Sequence, residues 1–120
     1  MTSSLSILVV EDEPLIAMML EDFLDSLGHT LAGTADCVAD ACARVNQGGV
    51  DAVILDVRLR GGEASWPVAD LLADQGIPYL ISTGGHVDPP PARHADAPQL
   101  SKPFTLAGIE RAIEAVAPRV

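Results

Sequence analysis

Aromatic side chains, cysteines, basic residues and long apolar runs are all scarce in this 120-residue sequence. With one Trp, one Tyr and two Phe, the core has to be built from aliphatic side chains and alanine, as alternating strand and helix architectures allow. Cys37 and Cys42 are the only cysteines, in a segment that reads as helix, where residues at that spacing do not share a face. A disulfide between them is not expected. Seven basic against seventeen acidic residues leave a formal charge of −10, which opposes approach to DNA, RNA or anionic lipid. Acidity also simply keeps a small protein soluble. No run reaches the roughly 18 apolar residues needed to cross a bilayer. The apolar stretch Leu5 to Val10 meets Glu11, Asp12 and Glu13 at once, which is not the pattern of a secretory leader. A reducing, cytoplasmic setting and no membrane partner are expected. The length suits one domain, residues 1–120.

What is present is a rhythm. Leu5 to Val10 is a continuous aliphatic run, suited to a strand covered on both faces. From Pro14, apolar residues recur at helical spacing through Leu27, with Pro14 fitted to a first turn and Gly28 to a C-terminal cap. Thr30 to Ala35 reads as a second strand, followed by a helix that Asp36 can cap and that Gly48-Gly49 ends. Asp51 to Asp56 is a third strand, and a loop at Arg60 to Glu63 leads to a helix over about Ser65 to Gln75. Pro78 to Ser82 and Pro98 to Ser101 complete five strands, and Thr105 caps a last helix. This alternation predicts an α/β fold, doubly wound, with a parallel sheet and helices on both faces. The stretch from His86 to Ala97 breaks the rhythm: Pro89, Pro90 and Pro91 remove backbone donors, so the fourth connection should be short, irregular and mobile.

Functional residues of open parallel sheets gather beyond the carboxyl ends of the strands. Those ends carry Glu11 and Asp12, then Asp56, then Thr83 with Gly84, then Lys102. Bringing carboxylates within about 4 Å costs on the order of 4 kcal/mol per pair at an effective dielectric near 20, against a total stability of about 5 to 15. Lys102 offsets part of this; a hard divalent cation such as Mg²⁺ answers it better. An Asp beside two cations is equipped for attack on phosphorus, with Thr83 donating to a phosphoryl oxygen and the Gly84-Gly85 backbone able to approach closely. These considerations point to an acyl phosphate at Asp56.

The strings ILVVEDEP, VILDVRL, STGG and LSKPF, in that order, resemble the receiver domains of bacterial two-component response regulators over nearly the whole chain. The resemblance implies a flavodoxin-like sheet of order 2-1-3-4-5, with Asp56 as phosphoacceptor. It implies Mg²⁺ held by Asp12, Asp56 and the Arg58 carbonyl, with Glu11 acting through water. It implies phosphoryl contacts from Thr83, Lys102 and the backbone of Val57 and Gly84, and a cis bond at Lys102-Pro103. A sensor histidine kinase or a histidine phosphotransferase would supply the phosphoryl group, and the exposed edge of the first helix would help recognise it.

Two positions depart from the usual pattern. Gln99 stands where receivers carry the aromatic that swings inward on phosphorylation. The stretch Leu80 to His86 is similar to the Phe-Ala-Thr-Gly-Gly/Tyr signature of an alphaproteobacterial receiver subfamily that lacks that aromatic and often has a poorly ordered fourth helix.

Blander readings apply elsewhere. Glu13 is assigned to helix capping or solvent. His29, His86 and His94 lack metal-ligand spacing and read as loop or surface residues. Arg58 and Arg60 read as surface side chains, and Trp66 as packing. The expected function is a stand-alone phosphoryl switch rather than an enzyme. A phosphate sink, a relay intermediate and an effector of another protein remain equally open, as a monomer. The competing readings are an adaptor that is never phosphorylated and a small Mg²⁺-dependent phosphohydrolase. The latter usually needs an acid two residues after the nucleophile, where this chain has Arg58.

Overall fold

A computed structural model describes residues 4–83, 90–101 and 104–116. In chain order the elements are β1 (Ser6–Val10), α1 (Pro14–Ser26), β2 (Thr30–Ala35), α2 (Val38–Asn46), β3 (Ala52–Asp56), α3 (Trp66–Gln75), β4 (Tyr79–Thr83), β5 (Gln99–Ser101) and α4 (Leu106–Val116). Single 3-10 turns form at Arg60–Gly62 and Ala92–His94. The five strands are all parallel in the order β2-β1-β3-β4-β5. The expected doubly wound sheet is present.

The unbroken apolar strands are explained by a core on each face. Ile7, Val9 and Ile54 point toward Leu20 and Leu24 of α1 and Ile109 and Ile113 of α4. Leu8, Val10, Val53 and Leu55 point the other way, toward Ala41 and Val45 of α2 and Val68, Ala69 and Leu72 of α3. Successive strand residues therefore alternate between two buried faces, and no position in the run tolerates a polar side chain. Each full burial of such a side chain contributes about 1.5–3 kcal/mol.

Helix ends follow local chemistry in most places. Pro14 opens α1, and Gly28 follows its end at φ +83°. Thr105 Oγ1 accepts the Gly108 amide at 3.0 Å and so caps α4. The expected cap of α2 is different. Cys37, not Asp36, is the N-cap residue and gives no side-chain bond; Glu63 Oε1, 25 residues away, accepts the Val38 amide at 2.8 Å. Asp36 is drawn elsewhere, its carboxylate lying 3.2 Å from Arg60 Nη1 and its carbonyl accepting the Arg60 amide. Both cysteines are free thiols. After the prolines only one 3-10 turn forms, consistent with their loss of donors. Among the described residues, no helix is long and apolar enough to cross a membrane.

Candidate functional site

Register places the acids. Val10 pairs with Leu55 and Asp56 with Ser82, so the turn after β1, the end of β3 and the end of β4 share one edge of the sheet. Glu11, Asp12 and Asp56 come together there, with one carboxylate oxygen of each within 4.8 Å of the others. Glu11 and Asp56 are buried, while Asp12 is partly exposed. At an effective dielectric near 20, like charges at that separation repel by about 3 kcal/mol per pair. Part of the compensation is local: Glu11 Oε2 accepts the amides of Asp12 at 3.0 Å and Glu13 at 3.3 Å, at the start of α1, where unpaired N–H groups favour negative charge. Glu13 itself occupies the N-cap position, exposed and without a side-chain bond to the helix. A cleft of about 330 Å³, lined by Glu11, Asp12, Thr34, Asp36 and Asp40 among others, opens beside the first two of these acids. Three converging carboxylates form a hard, all-oxygen donor set, which fits a small divalent cation that keeps several waters.

The chain leaving Asp56 is a built ribbon. Arg58 and Ala64 form an antiparallel bridge, flanked by Leu59 N–H donating to the Glu63 carbonyl at 2.7 Å and Ser65 N–H donating to the Val57 carbonyl at 3.0 Å. Both flanking bonds belong to the neighbours of Arg58. The carbonyl of Arg58 therefore points to the opposite edge of the ribbon, away from Ala64. Val57 and Leu59 are buried and pin one face of the ribbon into the core. Gly61 and Gly62, at φ +75° and +78°, make the tight return. Arg58 is exposed, as expected, and its Nη1 donates to the Gly62 carbonyl. Arg60 is exposed but joined to Asp36.

Thr83 ends β4 next to Ser101, its side chain lying outside the described residues, as do Gly84, Lys102, the Lys102-Pro103 bond and His86. Gln99 lies in β5, paired with Ile81.

The reading of His94 as a loop or surface residue is corrected. Its side chain is 1% exposed, stacked on Trp66 at a centroid distance of 5.9 Å and edge-on to Tyr79 at 5.6 Å. Its Nε2 lies 2.7 Å from Asp70 Oδ1, and its Nδ1 meets the Tyr79 hydroxyl. Burial raises the pKa of the Tyr79 hydroxyl, so it stays protonated. Both ring nitrogens thus have a polar partner, and the tautomer sets which of them donates. Arg93 adds ion pairs to Asp70 and Asp74. Trp66, Asp70 and Asp74 recur every four residues and line one ridge of α3, on which the turn at 92–94 lies. That spacing was the available signal; nothing local in the sequence says what lies against it. Trp66 packs, as expected. His29 is half-buried, its Nδ1 accepting the Leu5 amide at 3.1 Å, and burial lowers its pKa.

The chain is similar to known proteins along its length. The family model for the response regulator receiver domain matches residues 7–114. SdrG from Sphingomonas melonis, a solved structure, is 56% identical with a TM-score of 0.87, covering 97% of this chain and 98% of that one. PhyR from Brucella abortus is 26% identical with a TM-score of 0.81 over 97% of this chain and 49% of its own. Among curated proteins, the phyllosphere-induced regulator PhyR of Methylorubrum extorquens is 37% identical over 79 residues, 64% of this chain and 30% of its own length. This chain thus matches under a third of that regulator. With the sheet order, the acid-bearing strand ends and the match over residues 7–114 in agreement, this chain belongs to the response regulator receiver domain family.

Proposed function

We propose that this chain is a phosphoryl switch of two-component signalling, accepting a phosphoryl group on Asp56 from a phosphohistidine of a sensor kinase or histidine phosphotransferase. The observation that carries this reading is the convergence of Glu11, Asp12 and Asp56 at one sheet edge in a chain of the receiver family. An oxygen of Asp56 attacks phosphorus, the P–N bond breaks, and its electron pair leaves with the imidazole; water later returns the group as inorganic phosphate. Asp12, Asp56 and the Arg58 carbonyl would hold Mg²⁺, with Glu11 supporting it through water. When bound, the ion supplies charge stabilisation for the phosphoryl oxygens. Thr83, Lys102 and the backbone of Val57 and Gly84 would contact those oxygens. SdrG has been solved in a BeF3-activated conformation, at 58% identity to this chain, which supports an activatable site here.

Leu15 and Met18, 79% and 60% exposed on α1, offer the phosphodonor an apolar docking edge. A charge of −10 disfavours direct contact with nucleic acid, so residues 1–120, read as a receiver domain, act through protein contacts; a cytoplasmic setting and a monomeric state belong to the same reading. The chain turns over no substrate beyond its own acyl phosphate.

Intact-mass spectrometry after incubation with acetyl phosphate tests this. A Mg²⁺-dependent gain of one phosphoryl group, absent in Asp56→Ala, is the expected result. No adduct, with acetyl phosphate left unconsumed, would replace the switch by a phosphorylation-independent adaptor.

A further inference from the structure

The acids repel one another, so their spacing depends on what ties their segments together. Some of those ties run through backbone bonds and one carboxylate. Glu11 N–H donates to the Ala35 carbonyl at 2.9 Å, joining the acidic turn to the end of β2. The next residue, Asp36, accepts the Arg60 amide at 3.0 Å, joining the end of β2 to the ribbon that follows Asp56. Glu63 closes the series: its carboxylate accepts the Val38 amide at 2.8 Å, and its carbonyl takes the Leu59 amide across the ribbon at 2.7 Å. One residue thus accepts a first-turn amide of α2 and holds the strand opposite Arg58.

We propose that Glu63 is a positioning residue of the metal site, clipping the 57–64 ribbon to the N-terminus of α2 and so fixing the Arg58 carbonyl relative to Glu11 and Asp12. The proposal rests on the reading of these acids as a Mg²⁺ site. Glu63 touches neither the ion nor the phosphoryl group; it acts through the ribbon. Its side chain is on the surface, so its replacement leaves the core intact. A second effect must be separated from positioning, because any acid near a cation site favours the cation through space. Glu63→Gln removes the charge and keeps an oxygen that accepts the Val38 amide; Glu63→Ala removes both.

The test is calorimetric titration of MgCl₂ into the full chain, alongside melting temperatures of each metal-free variant. Glu63→Ala is expected to weaken Mg²⁺ binding about tenfold, the low end for outer partners of a metal site. Glu63→Gln should stay within about twofold of wild type, since it retains the amide acceptor. Arg44→Ala is the control: it loses bonds to the Ala32 and Gly48 carbonyls toward the other end of α2 and should leave Mg²⁺ affinity unchanged. Glu63→Ala binding like wild type would overturn the proposal. So would Glu63→Gln as weak as Glu63→Ala, which would assign the effect to charge, or an equal loss in Arg44→Ala, which would assign it to a loosened helix. A wild type that takes up no Mg²⁺ would instead remove the metal-site reading itself, and this proposal with it.

Discussion

Glu11 and Asp56 on one side, and His94 on the other, are comparably buried polar groups with opposite surroundings. The acids lie in a group of three like charges within 4.8 Å. His94 lies between complementary partners, Tyr79 and Asp70, with Trp66 stacked over it. A folded chain keeps unlike groups together for stability and like groups together only at a cost. The contrast separates a cluster of like charges, the donor set of the proposed cation site, from a His94 pocket whose ring nitrogens meet partners within the fold and which holds the post-proline turn to α3.

The largest effect should follow from emptying the His94 pocket. His94→Ala leaves a cavity against Trp66 and strands the Tyr79 hydroxyl, and should cost about 2–4 kcal/mol in urea unfolding. The paired change Tyr79→Phe with His94→Phe removes both hydrogen-bonding partners while keeping ring volume, and should lie closer to wild type than His94→Ala does. If His94→Ala were neutral, the pocket would not be the closed cluster described. Mg²⁺ should raise the melting temperature of His94→Ala by about as much as it raises that of wild type, because the two regions are separate.

A smaller effect of opposite sign is expected at the acids. Asp56→Asn removes one of three charges, and, with Asp12 partly exposed and its repulsion screened, should stabilise the metal-free protein by about 1 kcal/mol. It should also abolish most of the stabilisation by Mg²⁺. Loss of stability in metal-free Asp56→Asn would mean that the acids are not in net repulsion, and the comparison would fail on that side.

The smallest effect concerns His29, a partly buried imidazole whose acceptor nitrogen faces the Leu5 amide. Burial lowers its pKa below the ordinary 6.5. The unfolded chain therefore binds the proton first, and the stability this neutral ring contributes is present above about pH 6.5 and lost as pH falls through the folded value. Urea melts at pH 7.5 and 5.5 should show a larger drop for wild type than for His29→Gln. Equal drops would assign the acid sensitivity to the carboxylates alone.

Much of this was legible in the chain itself. Leu5 to Val10 and Ala52 to Leu55 announced buried strands because a strand covered on both faces permits only apolar residues. Glu11, Asp12 and Asp56 stood out because each ends such a run. The cap of α2 was not legible: Asp36 has the right chemistry and position, but Arg60 holds it and Glu63 takes its place across 25 residues. Nor was His94, one histidine after three prolines, whose environment is assembled from α3 and β4.

The sequence by itself determined the alternation of strands and helices, the two-sided core and the set of acids at the strand ends, because those depend on periodicity and on which residues stop an apolar run. Tertiary structure alone decided the 4.8 Å convergence of those acids, the capping of α2 by Glu63 and the burial of His94. These depend on which distant segments meet, and a hydrogen bond of under 3 Å is set by that meeting rather than by either segment's own propensity.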